Sequence, residues 1–197
     1  MKTRTAPPKF HDNCDISAND TLINEIDGFK SGFVSILGRP NVGKSTLLNR
    51  ILGQKVAIVT RKSQTTRTRI CGILHHSTYQ IVFIDTPGIH APVNRLGEVL
   101  VQNAMKSLRD SDINLFLIDA MSKSPNKDID TIEEISRRSS APLLVAINKI
   151  DIPKKLDFSA LKSRLNDFCT TENIFLISAL TGKNIDVLLE RIVSLLP

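Results

Sequence analysis

The sequence predicts an α/β protein with a mostly parallel six-stranded sheet, one antiparallel edge strand and helices on both faces. Three observations lead to this prediction. Strand-like and helix-like segments alternate, several strand-like segments are almost continuously apolar, and two of them are separated by only three residues. Continuous apolar runs are typical of parallel strands that are covered on both faces. The closely spaced pair indicates an antiparallel hairpin.

The predicted elements follow one another from residue 32 to the end of the chain. The strands are 32–38, 69–75, 79–85, 113–119, 143–149 and 173–179. Apolar residues at helical spacing lie between or after them: Leu96, Val99, Leu100 and Ala104; Ile129, Ile132 and Ile135; Ile185, Leu188, Leu189, Ile192 and Leu196. We interpret these residues as core. In such a sheet, ligands bind beyond the carboxyl ends of the strands.

Composition supports one folded domain with a leader. The chain has 197 residues, of which 41% are apolar, enough to bury a core. Residues 1–30 lack a sustained apolar period, so we expect a mostly disordered leader with one short helix near 20–27, and a folded domain over 31–197. No secretory signal or membrane-spanning run is visible. The three scattered cysteines suit a reducing compartment, so we expect a cytoplasmic protein.

The formal net charge of +6 favours a polyanionic partner, such as nucleic acid or an acidic membrane surface. Ordinary solubility charge explains the same value, and the aromatic content of 5% without tryptophan gives no evident base-stacking surface. Four basic residues cluster in 60-TRKSQTTRTR-69, namely Arg61, Lys62, Arg67 and Arg69. They form either a polyanion-binding face or a solvated loop.

A phosphate-binding loop is predicted directly after the first strand. The segment 38-GRPNVGKS-45 has the spacing Gly-x4-Gly-Lys-Ser and precedes an apolar helical segment. Its glycines let backbone N–H groups approach phosphate oxygens, with help from the helix N-terminus. Lys44 is expected to reach the β- and γ-phosphates, and Ser45 to offer its hydroxyl to Mg²⁺. The predicted contacts are Gly38, Arg39, Pro40, Asn41, Val42, Gly43, Lys44, Ser45 and Thr46.

A second motif, 85-DTPG-88, ends the third predicted strand. Asp85 at a strand end is suited to hold Mg²⁺, while the N–H of Gly88 can approach a γ-phosphate. Thr86 and Pro87 complete this nucleotide-binding turn. A threonine in the preceding basic segment is expected to complete the Mg²⁺ shell, and we favour Thr66 over Thr65. Lys44, Thr66 and Gly88 are the predicted catalytic residues.

A third motif, 148-NKID-151, follows the fifth strand and predicts recognition of guanine. A carboxylate at Asp151 can accept hydrogen bonds from the N1–H and the exocyclic amine, a donor pair that adenine lacks. Asn148 can join base and loops, and the stem of Lys149 can cover the purine face. In 177-ISA-179, the N–H of Ala179, next to Ser178, can meet the guanine carbonyl. The 148-NKID-151 motif argues against an ATPase or a small-molecule kinase, which the phosphate-binding loop alone leaves open.

The chain resembles the translation-factor-related GTPases in four motifs, which are 38-GRPNVGKS-45, 85-DTPG-88, 148-NKID-151 and 177-ISA-179. More narrowly, residues 38–70 with 85-DTPGIH-90 resemble the Era family, and 64-QTTR-67 is the most discriminating part. The resemblance covers about residues 31–197. It implies a P-loop NTPase of the Ras-like G-domain type that binds GTP and GDP with Mg²⁺, hydrolyses GTP and acts in small ribosomal subunit assembly and rRNA maturation.

The resemblance also implies partners beyond the nucleotide. Era proteins carry a C-terminal KH domain that binds small-subunit rRNA, and they associate peripherally with the inner membrane. We expect that KH domain to be absent from this chain, which ends at Pro197, and the chain to be a truncated form of a longer protein. RNA contact would then need the absent domain. We expect a monomer.

The predicted reaction is attack of water on the γ-phosphate of GTP. Ile89 follows 85-DTPG-88 at the position where Ras-like switches carry a water-orienting glutamine, and its side chain cannot polarise water. The resemblance suggests that Asn41 helps to bind K⁺ in place of an arginine finger. The alternative is a guanine-nucleotide-binding scaffold with negligible hydrolysis.

Overall fold

The computed structural model describes residues 28–54, 57–58, 69–85, 111–122, 124–153 and 158–197. Within these residues the strands are β1 Lys30–Gly38, β2 Ala57–Ile58, β3 Arg69–His75, β4 Tyr79–Asp85, β5 Ile113–Asp119, β6 Leu143–Asn148 and β7 Ile174–Leu176. The helices are α1 Lys44–Gln54, α2 Pro125–Arg138, α3 Phe158–Leu165 and α4 Ile185–Leu195. A short 3₁₀ helix, Thr171–Asn173, precedes β7.

The strands form one sheet in the order β2-β3-β4-β1-β5-β6-β7. Strands β4, β1, β5, β6 and β7 are parallel, whereas β3 is antiparallel to β4. The six predicted strands, the hairpin and the mostly parallel order are therefore confirmed. The structure adds a seventh strand, the two-residue β2, which pairs antiparallel with β3 and occupies the edge that the sequence had assigned to β3.

Strand β1 lies at the centre of the sheet, and its side chains alternate between two apolar cores. On one face, Ile36 packs with residues of α1 and α4, including Leu47 and Ile192. On the other face, Leu37 packs with residues of α2 and α3, including Ile132. This arrangement confirms helices on both faces and explains why β5 and β6 are apolar along almost their whole length.

The predicted helical stripes at 129–135 and 185–196 are buried as expected. Helix α2 has Pro125 in its first turn and buries Ile129, Ile132 and Ile135. The stripe predicted at 96–104 lies outside the described residues, as does the leader helix near 20–27. Within the described part of the chain, every helix is too short or too polar to cross a lipid bilayer.

Candidate functional site

The parallel strands bring the predicted site residues to one edge of the sheet. In the register, Asp85 of β4 lies beside Ile36 of β1, and Asp119 of β5 lies beside Asn148 of β6. Gly38, which ends β1, is beside Leu117 of β5. The carboxyl ends of four neighbouring strands therefore meet at one place, as the proposed pocket requires.

The phosphate-binding loop runs from Gly38 to the start of α1. The ammonium of Lys44 donates hydrogen bonds to the carbonyl oxygens of Gly38 at 2.6 Å and Arg39 at 2.9 Å, so the side chain curls back over the loop. Gly38 has φ +135°, and a Cβ there would lie 2.6 Å from the carbonyl oxygen of Leu117. Glycine is therefore required at this position by both backbone angle and space.

The rest of this loop leaves polar groups at the surface. Val42 is buried, whereas Pro40 and Asn41 are exposed, and Asn41 adopts a left-handed φ of 62°. Ser45 and Thr46 occupy the first turn of α1 and are exposed. A hydroxyl at Ser45 and a carboxylate at Asp85 are both oxygen ligands of the kind that Mg²⁺ prefers.

Asn148 joins the phosphate-binding loop to the far end of the site. Its side chain is buried, and its amide nitrogen donates to the carbonyl oxygen of Val42 at 2.8 Å. Its amide oxygen accepts a hydrogen bond from the N–H of Ala179 at 2.9 Å. The backbone N–H that the sequence assigned to the guanine carbonyl is therefore engaged by Asn148 in this structure.

Gly43 makes room for this bridge. A Cβ at Gly43, whose φ is +101°, would lie 2.3 Å from the amide nitrogen of Asn148. This distance is far below van der Waals contact, so any side chain at Gly43 would displace the amide. The second glycine of the phosphate-binding motif thus has a steric role toward the 148-NKID-151 motif as well as a conformational one.

Lys149 makes a second connection between the same two motifs. Its ammonium donates to the carbonyl oxygen of Asn41 at 2.7 Å and lies 2.6 Å from a carboxylate oxygen of Asp119. The second carboxylate oxygen of Asp119 accepts from the N–H of Met121 at 2.8 Å. Asp119 was missed by the sequence analysis, although its position at a strand's carboxyl end, like that of Asp85, is a signal that could have identified it.

Asp151 is exposed at the end of the same motif. One of its carboxylate oxygens accepts a hydrogen bond from the hydroxyl of Ser178 at 2.6 Å. Ser178 is buried, and its hydroxyl oxygen accepts from the N–H of Thr181 at 3.1 Å. The buried hydroxyl therefore fixes the orientation of a carboxylate whose remaining acceptor positions face outward.

One further acidic residue lies near the site and, unlike Asp151, is buried. Asp128, in the first turn of α2, is 1% exposed, and one carboxylate oxygen accepts from the hydroxyl of Ser122 at 3.2 Å. Its other oxygen has no hydrogen-bond partner among the described residues. Burial raises the pKa of Asp128 above its ordinary value, while the charge of Arg39 and the Ser122 hydrogen bond act in the opposite direction.

Several predicted residues lie outside the described residues: Arg61, Lys62, Thr65, Thr66, Arg67, Thr86, Pro87, Gly88 and Ile89. For Asp85 the backbone alone is described. Among the described residues, no group of three or more His, Cys, Asp or Glu side chains is placed to hold a metal ion. The structure thus brings together Lys44, Asn148, Lys149, Asp151, Ser178 and Ala179, and places the backbone of Asp85 at the same edge.

The fold and this site define a P-loop nucleotide-binding domain of the GTPase type. Residues 33–149 match the family model described as 50S ribosome-binding GTPase, and the chain belongs to that family. It is 44% identical over 169 residues to GTPase Era of Caldicellulosiruptor saccharolyticus. That match covers 86% of this chain and 56% of the relative, so the chain spans little more than half the relative's length.

Solved structures give the same result. A crystal structure of Era in complex with MgGDPNP and nucleotides 1506–1542 of 16S ribosomal RNA matches with a TM-score of 0.69 and 40% identity. This match covers 86% of this chain and 58% of that one. The G domain of the Thermotoga maritima FeoB iron transporter matches with a TM-score of 0.60 and 25% identity, covering 84% and 98% of the two chains. The predicted resemblance to Era is confirmed.

Proposed function

We propose that this chain binds GTP and GDP at the carboxyl edge of its sheet and hydrolyses GTP to GDP and phosphate, as a molecular switch. The observation that carries this proposal is the buried Asn148 amide, which joins Val42 of the phosphate-binding loop to Ala179 at the far end. One side chain thereby links the phosphate-binding loop to the turn whose Ser178 hydroxyl binds the Asp151 carboxylate. The membership of a GTPase family supports the same function.

The base end is suited to guanine. Asp151 has acceptor positions directed outward, and Ser178 holds the carboxylate through a 2.6 Å hydrogen bond. A guanine N1–H and exocyclic amine would both find acceptors there, whereas adenine lacks this donor pair and would leave the Ser178 hydroxyl as the donor to the carboxylate. A bound base would cover this exposed carboxylate, and an acceptor position that is covered without a donor costs about 1–3 kcal/mol, or more when it is charged, so the site should discriminate strongly.

The phosphate end is suited to a triphosphate. Lys44 lies on the loop with its ammonium held by two carbonyl oxygens, and this charge would move onto β- and γ-phosphate oxygens when nucleotide binds. Ser45, Thr66 and Asp85 would hold Mg²⁺, which when bound neutralises phosphate charge. In the reaction, a water oxygen bonds to the γ-phosphorus as the bond to the bridging oxygen breaks, and the water protons leave with phosphate and solvent.

The hydrolysis step is tested by single-turnover release of phosphate, with protein in excess over GTP. We expect a slow rate, about 10⁻⁴ to 10⁻² s⁻¹, as for unaided switches. Lys44→Ala serves as the inactive control. GTP binding without phosphate release above that control would favour the scaffold alternative, for which Ile89 is the supporting feature because it cannot orient water.

We also propose that K⁺ stimulates the hydrolysis of GTP. Asn41 is exposed on the phosphate-binding loop, and its left-handed backbone turns the loop next to Lys44. A K⁺ ion there would supply positive charge that an arginine finger supplies in other switches. Phosphate release should be faster in K⁺ than in Na⁺ at equal ionic strength, and equal rates would remove this role from Asn41.

For the cellular role we propose assembly of the small ribosomal subunit and maturation of its rRNA. Support comes from the similarity to GTPase Era and from the Era structure that contains 16S rRNA, together with the net charge of +6. The family description names the 50S subunit. We favour the small subunit because the Era structure that contains 16S rRNA is 40% identical to this chain and GTPase Era is 44% identical to it. Co-sedimentation with purified 30S and 50S subunits in the presence of GDPNP distinguishes the two.

We further propose that the protein is a cytoplasmic monomer that contacts the inner membrane peripherally. The resemblance to Era is the support for this part of the proposal. Analytical ultracentrifugation measures the oligomeric state, and cell fractionation at low and high salt measures membrane association.

A further inference from the structure

The loop that carries Ser178 and Ala179 is a compact turn. The N–H of Gly182 donates to the carbonyl oxygen of Ser178 at 2.8 Å, and the N–H of Ser178 donates to the carbonyl oxygen of Lys183 at 3.1 Å. The turn touches the base-reading side chains twice, through Ser178 to Asp151 and through the N–H of Ala179 to Asn148. Its position therefore sets the position of both groups.

Arg50 holds this turn from the other side. It lies on α1, and its guanidinium donates from Nε to the carbonyl oxygen of Ala179 at 3.4 Å and from a terminal nitrogen to the carbonyl oxygen of Leu180. A Cβ at Gly182 would come within 3.9 Å of the Arg50 side chain, so Arg50 lies close to this turn. A planar group with several donors suits two successive carbonyl oxygens.

The Ala179 peptide is thus fixed from two directions. Its N–H is bound by Asn148, and its carbonyl oxygen is bound by Arg50. The same helix that begins with Lys44 at the phosphate end reaches the base end through Arg50, about two turns later. Helix α1 therefore contacts both ends of the site.

We propose that Arg50 is a positioning residue for guanine selectivity, acting on Asp151 and Asn148 through the 178–182 turn. This inference rests on the proposed function, because it concerns how the same site distinguishes bases. The side-chain hydrogen bonds of Arg50 go to the turn, at Ala179 and Leu180. Its loss lets the turn move, the Ser178 hydrogen bond loosens, and the Asp151 carboxylate no longer meets the exocyclic amine in a fixed geometry.

The test is the ratio of the dissociation constants of IDP and GDP, measured by displacement of a fluorescent GDP analogue. Hypoxanthine keeps the N1–H but lacks the exocyclic amine, so the ratio reports the contact between Asp151 and that amine. In Arg50→Met, which keeps most of the apolar stem and removes the donors, we expect the ratio to fall about fivefold, as expected when one hydrogen bond to a charged group weakens. In Arg50→Lys, which keeps charge without the planar fork, we expect an intermediate ratio.

The matched control is Arg191→Met. Arg191 is a partly exposed arginine on α4 that binds Asn173 at 3.0 Å, before β7 and away from the base-reading turn. We expect it to change the melting temperature and leave the ratio unaltered. A purely structural role for Arg50 would weaken GDP and IDP binding by the same factor. An unchanged ratio in every folded Arg50 variant overturns the inference, whereas failure of the unaltered protein to bind GDP refutes the proposed function instead.

Discussion

Gly43 is the position in the site where the absence of a side chain is most important. In Gly43→Ala, the new methyl group would lie 2.3 Å from the Asn148 amide nitrogen, and φ would remain at +101°. The amide has to move and gives up its hydrogen bond to Val42, so we expect the free energy of unfolding to fall by about 1–3 kcal/mol and GDP affinity to fall about tenfold or more. Urea unfolding and a GDP titration measure the two effects.

Gly53→Ala is the control for that substitution. Gly53 lies within α1, whereas Gly43 directly precedes it, and a Cβ at Gly53 would meet nothing within 4 Å. Alanine should stabilise this helical position by up to roughly 1 kcal/mol and leave nucleotide affinity unchanged. If Gly43→Ala were as stable as Gly53→Ala and bound GDP as tightly, the bridge through Asn148 would contribute neither to stability nor to nucleotide binding.

Asp151 is the residue that decides which base is accepted. In Asp151→Asn, an amide replaces one carboxylate oxygen, so a donor now faces the base edge where guanine also has donors. We expect GDP affinity to fall about tenfold or more, because a charge-assisted hydrogen bond is lost, while xanthine nucleotides, which have a carbonyl in place of the amine, gain. Parallel titrations with GDP and XDP measure the preference, with the exposed Asp167→Asn as control. Unchanged preference for GDP would refute the assignment.

At the scale of elements, the first turn of α2 contains an acidic residue, Asp128, that folding buries. Because burial raises the pKa of Asp128, the folded state holds its proton to a higher pH than the unfolded state does. The stability that this group contributes is present below the unfolded pKa, near 3.8, and is lost as pH rises through the folded pKa. Ionised Asp128 therefore lowers stability at neutral pH.

Asp128→Asn should remove this dependence, since the amide does not titrate and can still bind the Ser122 hydroxyl. We expect the stability of the variant relative to the unaltered protein to increase as pH rises from 4 to 8, with a slope of at most about 1.4 kcal/mol per pH unit for one proton. Urea unfolding at several pH values measures the difference. A difference independent of pH would contradict a raised pKa in the folded protein.

Elements with long apolar runs could be predicted from sequence, and the exceptions have physical reasons. Strand β2 was missed because its two residues, Ala57–Ile58, are too few for any periodicity. The last strand was predicted to reach residue 179 because Ile177 and Ala179 are apolar; both are buried, yet β7 ends at Leu176. Beyond it, the N–H of Ser178 turns toward Lys183, which is a contact that a hydrophobic pattern does not encode.

In the candidate site too, some features could be predicted from the sequence and others could not. The motif residues could be predicted because their spacing is local, within three to eight residues of chain. The contacts of Asp119 with Lys149 and of Arg50 with Ala179 join residues 30 and 129 positions apart. Such pairs depend on the strand order, and a lone arginine on a helix has no local feature that distinguishes it from a solvated charge.

At the scale of the whole molecule, the two apolar cores hold β1 between helices on both sides, and the parallel strands end at one edge. The rigid sheet fixes where the phosphate-binding loop and the base-reading motif begin. The hydrogen bonds of Asn148 and Lys149 then fix the distance between them. We therefore conclude that a single pocket binds phosphate at one end and recognises guanine at the other, and this is the central claim.

The most direct test of that claim is an equilibrium competition experiment on the unaltered protein. A fluorescent GDP analogue is bound, and GDP, GTP and ATP are each titrated against it with and without Mg²⁺. We expect GDP and GTP to displace the analogue at concentrations at least about a hundredfold below ATP, because adenine lacks the donor pair that guanine offers to the Asp151 carboxylate. Displacement by ATP at the same concentrations as GDP would show that the pocket does not select guanine and would contradict this claim.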